Sequence, residues 1–209
     1  MIPGLYHFSK FVCWLVLQLR CGLEVRGTEH VPTRGPYLIV SNHVSYLDPV
    51  VVGVAAPRRL VFMARDTLFA QPLLGAWMRG VGVIPLRRDD ADPAAIRAAL
   101  AALRRGEPIG LFPEGGRQPG GALGTAKRGV GLLAIRARVP IVPVHLRGTF
   151  DVLPPRAKGL RPGKIRVAFG PLIPYTTASQ EGVVPPRRHQ EQLADAVTQA
   201  WRRLAGVSP

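Results

Sequence analysis

Short apolar runs alternate along this chain with stretches of helical hydrophobic spacing, and this alternation constrains the fold more than any other feature. Runs such as 36–40, 109–112 and 139–144 have the length of buried strands, whereas 92–106 repeats apolar residues at helical intervals. Strands that alternate with helices favour a layered α/β domain with a mostly parallel or mixed central sheet flanked by helices. Because no internal repeat or dividing linker is evident, we expect one domain over residues 23–209.

Individual residues refine the predicted elements. Asp92 followed by Pro93 predicts a helix start, since Asp caps free backbone N–H groups and Pro fits the first helical position. Pro72 is expected to divide the helical pattern of 67–78 into two pieces. Further strands are predicted over 23–27, 58–64, 82–88 and 164–169. Further helices are predicted over 5–20, from the Asp48 corner to about 55, over 125–138 and over 187–204. A loop is predicted over 174–187.

Residues 1–22 are predicted to form a separate N-terminal amphipathic segment. Apolar and aromatic residues dominate 5–20, with Lys10 and Arg20 as flanking charges. Such a helix could lie in a membrane interface, or it could pack on the protein's own core. The run is shorter than the roughly 20 residues that span a bilayer, and no small-residue cleavage site follows it. We therefore expect the segment to be retained and not to cross a membrane.

The formal net charge of +15 predicts an anionic partner, which could be nucleic acid, a membrane surface or a phosphorylated small molecule. The sequence contains no helix-turn-helix signature, zinc-finger spacing or RNP-type aromatic motif, so we expect no nucleic-acid partner. The two cysteines, Cys13 and Cys21, have neither metal-ligand nor redox spacing and favour a reducing compartment. The net charge by itself leaves a membrane surface and a phosphorylated small molecule open as partners.

A histidine and an aspartate follow the apolar run 36–40, at a predicted strand-to-helix corner. His43 is a side chain suited to base catalysis near neutral pH, and Asp48 could fix its tautomer and stabilise its cation. No Ser or Cys lies in a G-x-S-x-G motif, so His43 would activate a hydroxyl of the substrate. The alternative is structural, because Ser45 and Asp48 also have the spacing of a helix capping box.

Two further polar clusters also follow predicted strands. Arg87 and Arg88 end one strand, and Glu114, Gly115 and Arg117 follow another. Arginine binds phosphate through paired N–H donors, and glycines let backbone N–H groups approach an anion. Each cluster also has an ordinary explanation, as a solvated turn beside Asp89 and Asp90 or as a loop held by a Glu114–Arg117 pair. Lys127 could likewise be an exposed residue at a helix start.

Four sequence blocks occur in a fixed order along the chain: Asn42-His43 with Asp48, Gly82 to Arg88, Phe112 to Arg117, and Val139 to Pro143. Together they resemble the ordered blocks of the glycerolipid acyltransferase family. The family's best-known members are the 1-acylglycerol-3-phosphate acyltransferases, and the likeness covers residues 23–172. One difference lies in the third block, which in the family usually reads Phe-Pro-Glu-Gly-Thr-Arg-Ser: Gly116 replaces the Thr and Gln118 replaces the Ser.

The resemblance implies an α/β fold like that of glycerol-3-phosphate acyltransferase. It implies transfer of an acyl group from acyl-CoA or acyl carrier protein to lysophosphatidic acid, without a metal or cofactor. With this reaction the net charge of +15 predicts an anionic membrane surface as partner and a peripheral location at the cytoplasmic face of the cell membrane. His43 would be the base and Asp48 its partner. The alternatives are another lysophospholipid or a lyso-aminolipid as acceptor, or a non-catalytic protein that binds anionic lipid. Substrate contacts are expected from Asn42, Arg88, Glu114, Gly115, Arg117 and Lys127.

Overall fold

The computed structural model describes residues 2–87, 92–155, 157, 159–176 and 186–206. Within these residues, strands form a mixed sheet with helices on both faces, and the predicted α/β layered class is confirmed. The predicted strands are present to within a few residues at each end. The strands are β1 (Leu23–Arg26), β2 (Leu38–Ser41), β3 (Val61–Arg65), β4 (Ile84–Leu86), β5 (Ile109–Leu111), β6 (Ile141–Arg147) and β7 (Ile165–Phe169).

The order of the strands decides which side chains can meet. It is β1-β7-β6-β2-β5-β3-β4, and neighbouring strands are parallel except for β6 and β7, which run antiparallel. The carboxyl ends of β6, β2, β5, β3 and β4 therefore reach one common edge of the sheet. We refer to this as the carboxyl edge. In layered α/β domains, ligands bind in the crevice outside such an edge.

Helices cover both faces of the sheet. The predicted cap is confirmed, because Asp92 Oδ1 accepts hydrogen bonds from the backbone N–H groups of Ala94 and Ala95 at 2.9 and 3.3 Å. Pro72 begins a helix directly after the short 3-10 helix Asp66–Ala70, as expected for a pattern divided at proline. The helices are α1 (Pro3–Cys21), α2 (Asp48–Ala55), α3 (Pro72–Val81), α4 (Pro93–Arg104), α5 (Gly129–Ala137), α6 (Thr149–Val152) and α7 (Pro186–Ala205).

The helix predicted from 125 begins only at Gly129, and the reason is tertiary. The backbone N–H of Ala126 donates to Thr198 Oγ1 of α7 at 3.0 Å, and that of Lys127 donates to the Pro113 carbonyl at 2.9 Å. These bonds engage the backbone N–H groups of Ala126 and Lys127 outside the helix, which delays its start. The predicted loop 174–187 lies mostly outside the described residues.

Two apolar cores lie on opposite faces of the sheet. One packs α1 and α2 against the sheet, and the other packs α4, α5 and α7 against it. Trp201 of α7 is completely buried in the second core, and its indole N–H donates to the Val40 carbonyl of β2 at 3.0 Å. Gly131 lets α5 approach the backbone of Gln190, where a Cβ would overlap it. The second core therefore packs against β2 on the face of the sheet that carries α7.

Helix α1 packs on the first core through a narrow stripe. Leu17 and Cys21 are buried there, the Tyr6 hydroxyl accepts from the Leu60 N–H at 3.2 Å, and the Lys10 ammonium donates to the Ala56 carbonyl at 2.5 Å. Most of its other apolar side chains are exposed, so packing on the protein's own core accounts for only one side of the helix. The exposed ones are Phe8, Phe11, Val12, Trp14, Leu15, Val16 and Leu19. None of the helices in the described ranges has the length and hydropathy needed to cross a membrane.

Candidate functional site

A histidine and an aspartate meet at the carboxyl edge, just beyond β2. His43 Nδ1 lies 2.8 Å from Asp48 Oδ2, and the Asp48 side chain is fully buried. The same oxygen also accepts hydrogen bonds from the backbone N–H groups of Val44 and Ser45, each at 2.7 Å. Because Oδ2 acts as an acceptor throughout, Nδ1 carries the imidazole proton and Nε2 is left as the basic atom.

The capping-box alternative describes part of the same structure. Asp48 begins α2 and reaches back to the Ser45 N–H, which is half of a capping box. The other half is absent, since Ser45 Oγ instead accepts from the Leu47 N–H at 3.2 Å and donates to the Leu153 carbonyl at 2.9 Å. One carboxylate therefore closes the turn and orients the imidazole, so the structural and catalytic interpretations are compatible.

The loop after β5 holds the main chain of His43 from two sides. Glu114 Oε2 accepts from the His43 N–H at 3.1 Å, and the His43 carbonyl accepts from the Gln118 N–H at 2.8 Å. Glu114 Oε1 accepts from the Gly124 N–H at 3.3 Å, so the carboxyl also closes its own loop. Glu114 is only 4% exposed. This geometry favours a positioning role for Glu114 instead of the predicted contact with substrate.

Burial raises the pKa of Glu114 to about 7, although the N–H groups of His43 and Gly124 act in the opposite direction. The nearby Asp48 carboxylate contributes to the increase. A carboxyl with such a pKa binds a proton in the folded state over a pH range in which the unfolded chain is ionised. The stability of the site is therefore coupled to pH through this one side chain.

Asn42 connects β2 to β6 by a pair of bonds. Its amide nitrogen donates to the Leu146 carbonyl at 3.1 Å, and its amide oxygen accepts from the Leu146 N–H at 2.7 Å. The side chain is 2% exposed, and both ends of the amide are bonded to the main chain. The predicted substrate contact is not what this geometry favours. Asn42 instead fixes where β2 ends, and thereby where His43 begins.

An apolar wall lies beside the imidazole. The ring of Phe112 is 4.5 Å from that of His43, centroid to centroid, and 6.3 Å from that of Phe62. Gly110 of β5 makes room for Phe62, because a Cβ at residue 110 would overlap its ring. An aromatic wall of this kind lowers the local dielectric around the base and is suited to contact with an apolar chain.

Cationic side chains lie at the exposed rim of the site. The Arg117 guanidinium stacks on the Tyr46 ring at 3.5 Å from the centroid, and both side chains are exposed. The Lys127 ammonium lies against Gly115, whose φ of +80° and lack of Cβ allow that approach. Lys127 and Gly115 are therefore in contact, two residues from Arg117, and the substrate contacts expected of these residues stay a prediction. Arg88 lies outside the described residues, and its role stays a prediction.

Arg65 is a further arginine at this edge, and the sequence motifs do not include it. It is the last residue of β3 and is exposed, and β3 lies between β5 and β4 in the sheet. The sequence contained a signal for Arg65, because this arginine directly follows a predicted apolar strand, as Arg87 does.

The described residues contain no group of three His, Cys, Asp or Glu side chains that could hold a metal ion.

A comparison with known protein families gives a match that agrees with this geometry. A family model described as Acyltransferase matches residues 22–147, more than half of the chain. The chain belongs to this acyltransferase family. The matched region contains the His43–Asp48 pair, the Glu114 loop and β6, so the site lies within the family's own domain.

Curated relatives within this acyltransferase family share a common description. The chain is similar to the chloroplastic 1-acyl-sn-glycerol-3-phosphate acyltransferase BAT2 of Brassica napus, with 32% identity over 69% of this chain and 43% of that protein. It therefore spans less than half the length of that relative. It is 27% identical to the 1-acyl-sn-glycerol-3-phosphate acyltransferase of Bacillus subtilis (strain 168), over 96% of both chains. These relatives confirm the resemblance seen in the sequence.

A solved acyltransferase structure confirms the fold. The crystal structure of the 1-acyl-sn-glycerophosphate acyltransferase PlsC from Thermotoga maritima matches with a TM-score of 0.73, over 99% of this chain and 80% of that one. The sequences are 23% identical. The arrangement of strands and helices is thus found in a protein of known structure.

Burial of Glu114 makes the stability of this acyltransferase depend on pH. Between its ordinary pKa of 4.5 and about 7, the folded state holds a proton that the unfolded chain has lost. The free energy of unfolding should therefore fall as pH rises through this range and level off above it, by up to about 3 kcal/mol relative to Glu114→Gln. Urea unfolding of both proteins at a series of pH values measures this. A difference that is constant or grows with pH would contradict the assignment.

Proposed function

We propose that this protein transfers a fatty acyl group from a thioester, acyl-CoA or acyl carrier protein, to the hydroxyl of lysophosphatidic acid, giving phosphatidic acid. The observation that carries the proposal is the His43–Asp48 pair, with its 2.8 Å hydrogen bond at the carboxyl edge. The named activity of the relatives supports the choice of acceptor.

In this reaction His43 Nε2 removes the proton of the acceptor hydroxyl as the oxygen attacks the thioester carbonyl. The tetrahedral intermediate then breaks its C–S bond, and the imidazolium returns the proton to the departing thiolate. Asp48 holds the ring by its Nδ1–H and stabilises the cation between the two steps. The products are the new ester and a free thiol, so protons and electrons balance.

The state of the serine hydroxyls near His43 supports direct transfer of the acyl group from donor to acceptor, without an acyl-enzyme intermediate. Ser45 Oγ donates to the Leu153 carbonyl at 2.9 Å, and Ser41 Oγ lies 3.2 Å from the Asn42 carbonyl as its donor. Both hydroxyls are therefore engaged with the main chain. The two cysteines lie on α1, away from the loop that carries His43. An acyl-enzyme intermediate would need a nucleophile, and these residues do not provide one.

The acceptor phosphate requires cations at the rim of the site. Arg117 and Lys127 lie on the loop and segment that flank Glu114, and Arg65 ends the strand adjacent to β5. Arginine gives paired donors to phosphate, and a lysine adds a mobile charge. We propose that these three side chains, with the predicted Arg88, bind the phosphate and orient the free hydroxyl towards His43.

A membrane supplies the acceptor, and α1 is the surface we propose for contact with it. Its outward side chains include Phe11, Trp14 and Leu19, with 57%, 43% and 76% exposure. Trp77 of α3 lies beside it, with its indole N–H bonded to Ser9 Oγ at 2.9 Å, and Leu73 of α3 is 89% exposed. Contiguous exposed apolar side chains of this kind mark interaction surfaces. With the net charge of +15, they favour the anionic cytoplasmic face of the cell membrane.

The catalytic proposal predicts a kinetic difference between two histidine variants. His43→Ala should lower kcat by roughly 10²- to 10⁴-fold, the contribution of a positioned acid–base group. His30→Ala, in the 3-10 helix Thr28–His30, is the matched control and should retain activity. Thiol release from palmitoyl-CoA or from acyl carrier protein is measured with lysophosphatidic acid, with lysophosphatidylcholine and without acceptor.

The acceptor panel separates the possibilities. Release that needs lysophosphatidic acid supports the full proposal, and release with lysophosphatidylcholine alone changes the acceptor but keeps the mechanism. Equal acceptor-dependent release by wild type and His43→Ala would contradict the assignment of the base. If neither donor yields thiol with any acceptor, the non-catalytic lipid-binding alternative replaces the proposal.

The membrane proposal predicts a loss of vesicle binding. Phe11→Ser with Trp14→Ser should weaken binding to vesicles that contain anionic lipid, because each buried aromatic side chain contributes about 1.5 to 3 kcal/mol. Cosedimentation measures this at several vesicle concentrations. Arg97→Ser, an exposed substitution on α4, is the control and should bind like wild type. Unchanged binding of the double variant would exclude α1 as the contact surface.

A further inference from the structure

A second concave site lies on the other face of the sheet, beside the end of α7. It is a cleft of about 460 Å³ formed where β1, β7 and β6 run side by side. Neither the reaction steps nor the membrane surface described above uses it. We call it the basic cleft, and its principal lining side chains are Glu24, Arg26, His145, Arg147, Arg166 and Leu204.

The strand register explains why arginines gather there. Arg147 of β6 is opposite Arg166 of β7, and Arg166 is opposite Glu24 of β1. Two residues further along, Ala168 of β7 is opposite both His145 of β6 and Arg26 of β1. Alternate residues of a strand point to the same face, so the two rows form one surface. Because the side chain of Ala168 is small, the surface is concave at its centre, and the longer arginine side chains surround this depression.

The basic cleft carries a positive charge at neutral pH. Glu24 pairs with Lys164 at 2.8 Å and with Arg166 at 3.1 Å, while Arg26 and Arg147 form no ion pair with the described residues. Burial lowers the pKa of His145 to about 4, with Arg147 contributing, so its ring is neutral at pH 7. Three guanidinium groups therefore face one carboxylate, and an anion with several charges would find unpaired donors there.

The position of the basic cleft favours a ligand that comes from water. Helix α1 packs on the core at the opposite face of the sheet, so a lipid in the membrane that α1 contacts would not reach the cleft. Leu204 and Ala205, at the end of α7, add an apolar side to the lining. A ring system with attached phosphates would match such a lining, because the ring can lie on apolar groups while the phosphates meet arginine.

We propose that the basic cleft binds the nucleotide polyphosphate end of a coenzyme A thioester, the acyl donor of the reaction. This inference rests on the proposed function, and it selects acyl-CoA among the thioesters that could serve as donor. Arg26 and Arg147 contact the phosphates directly, and Arg166 does so while bonded to Glu24. The adenine ring lies against Leu204 and Ala205.

The distance to the base suits the extended arm of that donor. Asn42, which directly precedes His43, is bonded to the main chain of Leu146, and Arg147 is the next residue. From β2, the strands β6, β7 and β1 follow in order, so at roughly 5 Å per strand the three arginines lie about 5 to 15 Å sideways from the end of β2. A pantetheine arm crossing the carboxyl edge at Leu146 carries the thioester from the cleft to His43.

Binding of adenosine 3′,5′-bisphosphate, the nucleotide end of coenzyme A, tests the site without catalysis. Titration calorimetry compares wild type with Arg147→Ala, Arg26→Ala and the control Arg97→Ala, an exposed arginine of α4. We expect the first two variants to bind the bisphosphate roughly 10- to 100-fold more weakly, as for loss of a charge-assisted hydrogen bond, and the control to bind like wild type. Thermal unfolding verifies that all variants are folded.

Steady-state kinetics tests the role in the reaction. Arg147→Ala should raise the KM for palmitoyl-CoA by a similar factor, with kcat and the KM for lysophosphatidic acid unchanged. Equal bisphosphate binding by wild type and Arg147→Ala would overturn the proposal, and so would an effect confined to acyl carrier protein as donor. Bisphosphate binding that needs Arg147, in a protein that transfers no acyl group, would uphold the cleft and overturn the proposed function.

Discussion

One oxygen of the Asp48 carboxylate accepts three hydrogen bonds, and the organisation of the site depends on them. Two come from the turn that leads into α2 and one from the His43 ring. A change in the turn at Val44 and Ser45 would therefore displace the carboxylate that holds the imidazole. Rotation of the imidazole would break its hydrogen bond to the buried Asp48. Since Asp48 is fully buried, loss of any of these three hydrogen bonds would leave its carboxylate charge less well compensated, which is costly in a protein interior.

The main chain around His43 is fixed by elements that lie far apart in sequence. Asn42 bonds to β6, and the loop after β5 grips His43 through Glu114 and Gln118. Behind them, Trp201 of α7 bonds to β2 itself. The position of the base is thus determined by the whole sheet, which supports catalysis by a preorganised site.

The two faces of the sheet have different surroundings, and this separates the two proposed substrates. The face that carries α1 presents exposed aromatic side chains such as Phe11 and Trp14, which suit a lipid surface. The other face presents the basic cleft beside α7. Both faces meet at the carboxyl edge, where His43 lies. A lipid acceptor and a water-soluble donor could therefore approach the same base from opposite sides.

Much of this arrangement could be predicted from the sequence, because it depends on local patterns. The strands, the Asp92 cap and the His43–Asp48 spacing are read from neighbouring residues. Other roles could not be predicted, because they depend on pairing between distant strands. Asn42 was expected to contact substrate, but its bonds to Leu146 follow from the β2–β6 register, and the row of Arg147, Arg166 and Glu24 follows from the neighbouring registers. A single sequence contains no direct signal for such pairings.

The tautomer of His43 is the most direct test of the central claim, that Asp48 holds the ring so that Nε2 is the base. Nitrogen-15 NMR of the imidazole in mildly alkaline buffer distinguishes the two neutral tautomers. Our interpretation predicts a proton on Nδ1 in wild type and a changed tautomer balance in Asp48→Asn. A wild-type ring that carries its proton on Nε2, or one that is unaffected by Asp48→Asn, would contradict it.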